Sequence, residues 1–416
     1  MNNKKTLLLQ APVFSLSGYG KHSMDILKSL YEIDKYDIQI LPTKWGTTPL
    51  NQTDTQTEFG RWVLSKIVNR LELQPDIHIQ ISVPNEANPI GMWNCLITAG
   101  SETNIIPKEF IDGCNKMDLV IVPSKFTKDV MENIEYAERK IDTDEIVGKM
   151  SITTPIRVLH EGVDLKTFLN PEKLDILDSI ETDFNFLVCG TWLSGELGHD
   201  RKDMGMTLKT ISTVFKNLPK NKKIGIILKT SLAGFSVIER EELVDRIYAA
   251  IGKDRKIPVY FLFGDLTDNE MAGLYHHPKV KAMVSFTKGE GYGRPLAEFA
   301  LTDKPIIVSK WSGQLDFLPE QYTEFLEGEL KPVHKSAVNQ FILKEGKWFY
   351  VNYTFASNKL MDVYKNYNKY LDRSKGLSKN IKDSFSMKKM TEKLDSILDE
   401  TITGVPEIKE FQLPKL

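Results

Sequence analysis

SFTKGEGYGRPLAEFALTDKPIIVSKWSGQLD, residues 285–316, reads as the end of a strand, a glycine-punctuated loop, a helix from Pro295, a second strand and another glycine turn. Pro295 suits the first turn of that helix, because its missing N–H would go unpaired there and its φ is already helical. Gly289, Gly291 and Gly293 let the backbone turn tightly and approach a ligand, while first-turn N–H groups offer an anion site. Glu290 lies in the loop and Glu298 in the helix, with seven residues between them. That spacing lets one ligand with two hydroxyl-bearing parts bridge both carboxylates. The competing reading is a plain strand-loop-helix crossover with solvated glutamates.

The stretch resembles the E-x7-E signature of retaining GT-B glycosyltransferases, the family-four group above all, and shares the strand and glycine turn that follow. The resemblance implies that Glu290 contacts a donor sugar and Glu298 the ribose of a nucleotide, with Gly291, Tyr292 and Gly293 in the same donor-binding loop. The fold it implies is α/β: two Rossmann-like domains whose parallel sheets face each other across a cleft, with a C-terminal helix crossing back to the first domain.

Length and composition agree with two domains. The chain has 416 residues, 41% hydrophobic and 26% charged, too many for one ordinary core and normal for a globular protein. No apolar run is long enough to span a bilayer, and the opening MNNKKTLLLQAPVF is too soon broken for a signal peptide, so a cytoplasmic location is expected. Cys95, Cys114 and Cys189 are scattered without disulfide or zinc spacing. A net charge of −2 gives no overall pull toward nucleic acid or anionic membrane.

Strand and helix patterns alternate, as in parallel sheets flanked by helices. TLLLQAP, YDIQILP, DIHIQIS, CLITAG, DLVIVPS and PIRVLHEG are the strands of the first half; FNFLVCGTW, IGIILKT, PVYFLFG, KAMVSF and PIIVSKW those of the second. The polar run DLKTFLNPEKLDILDSIETD between them reads as a linker, giving domains at 1–172 and 180–375 and a crossover helix and tail at 376–416. Such paired sheets bind ligands at the carboxyl ends of their strands.

The loop SLSGYGKHS after the first strand brings Gly18 and Gly20 to that end. It lacks the glycine and serine or threonine of a phosphate-binding Walker loop and the third glycine of a dinucleotide fingerprint. In the resemblance it lies across the cleft from the donor phosphates. Glu102, in a Glu-Thr pair at a strand end, orients a sugar or is a simple loop carboxylate. Ser124 fits a helix N-cap. HEGVDLKTF resembles the family's turn closing the first domain, which places His160 and Gly162 along the cleft and leaves Asp164 as a cap. His78, inside an alternating strand, reads as packed. Asp142 and Asp144 form a D-x-D triplet without the apolar strand a metal site needs, and read as solvated.

In CGTWLSGELGHDRKDMGMTLKTISTVF, Lys202-Asp203 stands where the family has a Lys-Gly pair. The family's arginine, which with that lysine holds the donor diphosphate, is missing after Gly190; Arg201 or Lys229 can supply the second cation, since charge-assisted hydrogen bonds are the strong ones. Leu266 falls in the segment that shelves the base. His276 and His277 read as helix-end residues. From Lys344 to Ser396 there are twelve Lys and Arg against six Asp and Glu, and SMKKMTEKLDSIL is amphipathic, with lysines outward.

These readings converge on transfer of a sugar from a nucleotide-sugar donor to a hydroxyl with retained configuration, Glu290, Glu102 and His160 at the reacting end. No metal and no cofactor beyond the co-substrate is expected. Donor base, sugar and acceptor stay open: a glycan or lipid-linked sugar is the family default. Some stretches also look similar to reading frames of large tailed phages, for which a hydroxymethylated DNA base is the acceptor. A non-catalytic nucleotide-sugar binding protein and a dinucleotide oxidoreductase are the readings from other classes. The missing arginine points toward the first; the second lacks a full fingerprint. Oligomeric state is not legible.

Overall fold

The computed structural model describes residues 4–50, 53–140, 145–219, 223–232, 234–253 and 256–402. The D-x-D triplet and the tail from 403 lie outside them. The first half contains β1 (Thr6–Ala11), α1 (Gly18–Ile33), β2 (Asp37–Pro42), α2 (Glu58–Ser65), β3 (Ile77–Ile81), β4 (Trp93–Ile97), α3 (Lys108–Cys114), β5 (Leu119–Val122), α4 (Lys125–Asn133), β6 (Tyr136–Arg139), β7 (Ile146–Met150), β8 (Ile156–Val158) and α5 (Leu165–Leu169). The second contains β9 (Phe184–Thr191), α6 (Met204–Phe215), β10 (Ile224–Ser231), α7 (Val237–Ile251), β11 (Val259–Leu262), α8 (Asp268–His276), β12 (Val280–Ser285), α9 (Arg294–Ala300), β13 (Ile306–Ser309), β14 (Glu324–Leu326), β15 (Gly328–Pro332) and β16 (Lys347–Val351). Helices α10 (Tyr353–Lys365), α11 (Tyr367–Ser374), α12 (Leu377–Ser384) and α13 (Met387–Thr401) follow.

Two six-stranded sheets form, in the orders β2-β1-β3-β4-β5-β8 and β11-β10-β9-β12-β13-β14, and their strands pair in parallel. The apolar runs explain this: Leu7, Leu9, Ile77, Ile79 and Ile97, and in the second sheet Phe186, Ile226, Leu228 and Ile307, are almost wholly buried, as strands covered by helices on both faces must be. In each sheet the order reverses beside the first strand, the switch point where such sheets open a crevice at their carboxyl ends.

Helix α13 does cross back. Its Met390, Leu394, Ile397 and Leu398 enter the core of the first sheet, and its lysines Lys388, Lys389 and Lys393 stay exposed. The polar-looking stretch after residue 162 forms no strand, but Val163, Phe168, Leu177 and Ile180 pack into the second core. The hairpins β6/β7 and β15/β16 are antiparallel and form two-stranded sheets of their own. Among the described residues no helix is long and apolar enough to cross a membrane.

Candidate active site

Strand β12 ends at Ser285, and the next five residues cross the carboxyl end of the second sheet. The Ser309 hydroxyl donates to Thr287 O at 2.6 Å. The Glu290 N–H donates to Ser312 Oγ at 2.9 Å, and Gly313 N–H to Glu290 O at 3.0 Å. Ser312 holds a left-handed φ of 76° to do this, a strain that the bracing hydrogen bonds of Gln314 to Ser309 help to sustain.

The carboxylate so placed meets two cations. Lys202 Nζ contacts Glu290 Oε1, Arg201 Nη1 reaches Glu290 Oε2 at 3.0 Å, and Thr287 Oγ1 donates to Oε1 at 2.7 Å. Arg201 also spans the crevice, with Nη2 3.1 Å from Glu102 Oε1 of the first domain. Burial pushes the Glu290 carboxyl up, but Lys202 and Arg201, with hydrogen bonds from Lys202 and Thr287, outweigh it and hold the group down at about 2. Glu102 is raised, by desolvation first and by the nearby Glu290 charge, against the pull of Arg201. The site therefore holds one firmly ionised carboxylate and one that takes up protons more readily.

Arg201 and Lys202 are set by a buried frame. Lys288 N–H donates to Arg201 O at 2.7 Å. The wholly buried Lys288 ammonium lies 2.8 Å from Asp203 Oδ2 and over the Tyr350 ring at 4.6 Å, and Tyr353 Oη donates to the same Asp203 oxygen at 2.7 Å. Asp203 stands at the N-cap of α6 in the left-handed region, φ 51°, a conformation that glycine adopts at less cost. Asp200 accepts from Met204 N–H at 3.1 Å, and burial, then repulsion from Asp203, push its carboxyl up to about 6.

Glu298 sits in a second cluster. Arg294 Nε donates to Glu298 Oε1 at 3.0 Å, while its other nitrogens reach Asp25 at 2.6 Å and Glu161 at 3.2 Å. Tyr275 Oη lies 3.3 Å from Glu298 Oε2, and Lys21 Nζ 3.5 Å from Oε1. Burial lowers the His22 imidazole beside this cluster.

The structure brings Arg201 into contact with both Glu290 and Glu102 and Lys202 into contact with Glu290, while Glu298 joins the separate cluster around Arg294. It uses the glycines differently from the sequence reading. A Cβ on Gly289 would stand 1.9 Å from Glu102 O, and one on Gly291 2.6 Å from Ala99 O, so the close approach they permit is to the opposite domain. Gly20 likewise makes room for Ser15 O of its own loop, at 1.9 Å, whereas Gly18 has nothing near it. Gly293 supplies the left-handed φ of 103° that opens α9. That helix spans only seven residues and Pro295 removes one donor, so the cations carry more of any anion binding than its N-terminus.

Tyr292 turns away, donating to Glu161 O at 2.9 Å and packing on Phe317. His160 does not touch Glu290; its Nε2 lies 2.9 Å from Asp316 Oδ2. Lys229 donates to Gly264 O at 2.6 Å, and Leu266 packs half-buried against the second core. His78 is buried, its imidazole lowered to about 4 chiefly by desolvation. Ser124 and Asp164 are helix caps. Among the described residues no three metal-ligating side chains gather. Sequence reasoning passed over Thr287, Lys288 and Arg294; of these only Arg294 carried a local signal, four residues before Glu298 on one helix face.

No family model matches this chain, and no curated protein matches it. Solved structures do. A glycosyltransferase from Rickettsia africae is similar with a TM-score of 0.62 at 14% identity, over 97% of this chain and 100% of that one. Sucrose-phosphate synthase from Thermosynechococcus elongatus matches with a TM-score of 0.61 at 11% identity, over 95% and 99%. HepE of Anabaena in complex with UDP-glucose matches with 0.60 at 12% identity, over 95% and 100%. At such identities the likeness is one of fold, and the fold of this chain is the GT-B architecture.

Proposed function

We propose that this chain is a glycosyltransferase that moves a sugar from a nucleotide-sugar to an acceptor hydroxyl with retention at the anomeric carbon. The observation that carries the reading is the cluster of Glu290, Arg201 and Lys202 at the carboxyl end of the second sheet, facing Glu102 across the crevice. Those cations are placed to exchange their carboxylate partners for a donor diphosphate, whose charge they neutralise as it leaves; preorganised charge of this kind is usually the largest catalytic contribution. Glu290, freed, accepts from the sugar hydroxyls, and Glu298 from the ribose. In the reaction the bond from C1 to the diphosphate oxygen breaks with its electron pair leaving on phosphate. The acceptor oxygen bonds to C1 on the same face, and its proton passes to the departing diphosphate.

The neighbouring HepE structure, titled as a complex with UDP-glucose, supports a nucleotide-sugar as ligand class. A panel of UDP-, GDP- and ADP-sugars tested for thermal stabilisation checks the reading, since a ligand held only by the folded form raises its melting temperature. One of them is expected to stabilise the wild-type chain and to lose that effect in Lys202→Ala. Failure of every member to shift the transition overturns it.

A further inference from the structure

Glu102 sits on a turn, residues 101–105 between β4 and α3, that belongs to no helix or strand. Bonds within the turn stiffen it: Thr103 N–H donates to Ser101 Oγ at 3.1 Å, and Thr103 Oγ1 to Ile105 O at 2.7 Å. Its outward anchor is in the second domain. Asn104 N–H donates to Lys347 O at 3.0 Å, and Lys347 N–H donates to Asn104 Oδ1 at 2.6 Å. One asparagine thus satisfies both backbone groups of Lys347, donating from its main chain and accepting on its side chain. A fixed Asn104 fixes Glu102, two residues away in the same stiff turn.

Lys347 opens β16, and the same strand reaches the other half of the site. Two residues on, Phe349 N–H donates to Lys288 O at 3.0 Å. Amides two apart leave a strand by the same edge, and in a two-stranded sheet the edge turned away from the partner strand is free to pair elsewhere. Lys288 N–H in turn holds Arg201 O at 2.7 Å. One strand edge therefore carries the Glu102 turn at Lys347 and, through Lys288, Arg201 at Phe349; Glu102 and Arg201 are the side chains that meet at 3.1 Å across the crevice. The hairpin can bear this role because Val333, Ala337, Ile342 and Trp348 give it a small core of its own, and Phe341 packs on Phe110 of the first domain with ring centroids 6.1 Å apart. Asn104 and Lys347 are exposed, and two neutral hydrogen bonds add little net stability there. Their contribution is placement.

We propose that the outer edge of β16 sets the register of the two domains across the crevice, with Asn104 as the positioning residue that holds Glu102 against Arg201. The inference rests on the glycosyl-transfer reading and adds the element that assembles its site. Without the Asn104 acceptor the Glu102 turn is released, whereas Arg201, Lys202 and Glu290 keep their bonds to one another within the second domain. Donor binding then survives, and the aligned arrangement that reacts does not form.

The test compares the full wild-type chain with Asn104→Leu, which keeps the side chain's size but not its acceptor, and Asn104→Asp, which keeps an acceptor oxygen. The site is exposed, where substitutions leave folding stability nearly unchanged. Hydrogen–deuterium exchange reads the geometry without a ligand. Amides 103–106 are expected to exchange about fivefold faster or more in Asn104→Leu, the factor that one ordinary hydrogen bond corresponds to, with 287–290 as protected as in wild type and Asn104→Asp close to wild type throughout. Hydrolysis of UDP-glucose, GDP-glucose and ADP-glucose then separates placement from binding. For each one that the wild-type chain cleaves, Asn104→Leu is expected to lose about a hundredfold in kcat, the scale on which a 1 Å misplacement acts, with KM changed by less than about threefold, and Asn104→Asp to recover most of that loss. Unchanged exchange or unchanged kcat in Asn104→Leu overturns the inference, as does an aspartate variant as impaired as the leucine one. Cleavage of none of the three by the wild-type chain faults the glycosyl-transfer reading alone, and the exchange rates then decide the alignment by themselves.

Discussion

Glu290 is a carboxylate whose ionisation is enforced by its neighbours, and that has a consequence for acid stability. Its folded value near 2 lies below its ordinary 4.5, so it binds fewer protons folded than unfolded around pH 3 to 4. The stability it contributes is present above about pH 4.5 and is lost as the pH falls through about 2, on the order of 3 kcal/mol in all. Urea titrations at several pH values should show this acid loss in the wild type and a flatter profile in Glu290→Gln; parallel profiles would contradict the assignment. Lys288 makes a second case. Its ammonium and Asp203 are both fully buried, and removing one member of such a pair strands the other. Lys288→Met is expected to cost about 3 to 5 kcal/mol, with part regained in Lys288→Met/Asp203→Asn. A single variant as stable as wild type would sink that claim. Glu290 and Glu298 were legible because their spacing is local. Arg201, Lys202 and Glu102 were named from their own segments, but that Arg201 bridges Glu290 and Glu102 was not legible, since that contact joins segments far apart in sequence.

At the level of elements, most parallel strands were legible because each is an apolar or alternating run between turn residues; β14, three residues long and opening on Glu324, was not. The hairpin β15/β16 was not: GELKP is exposed along its whole length and carries no alternation to mark a strand. The linker misled for a related reason. Phe168, Leu177 and Ile180 are spaced too widely for any periodic signal, yet all are buried. Helix α13 shows what its apolar face is for. Leu394 is fully buried in the first core, so Leu394→Ala should cost about 2 to 5 kcal/mol even though the residue comes near the end of the chain. Differential scanning calorimetry measures this directly, and a shift of the melting temperature within error would mean that the helix does not brace the first domain.

The whole molecule is held in a closed arrangement by contacts across the crevice: Arg201 to Glu102, Arg294 to Asp25, and paired hydrogen bonds between Asn104 and Lys347 at 3.0 and 2.6 Å. Gly289 sets how near the halves come. Gly289→Ala puts a methyl 1.9 Å from Glu102 O, backbone against backbone, and should hold the domains apart. Small-angle scattering is expected to give a larger radius of gyration for the variant, with turnover reduced by about a hundredfold, the scale on which a misplacement of 1 Å acts; unchanged scattering and turnover would show that closure does not depend on this contact. The central claim, that this crevice breaks the bond between sugar and diphosphate on one face, is tested most directly by proton NMR of a stabilising α-linked nucleotide-sugar incubated with the protein. The account predicts that the α anomer is released first, before mutarotation, and that Glu290→Ala releases none. Release of the β anomer first, or equal release by the variant, would contradict it.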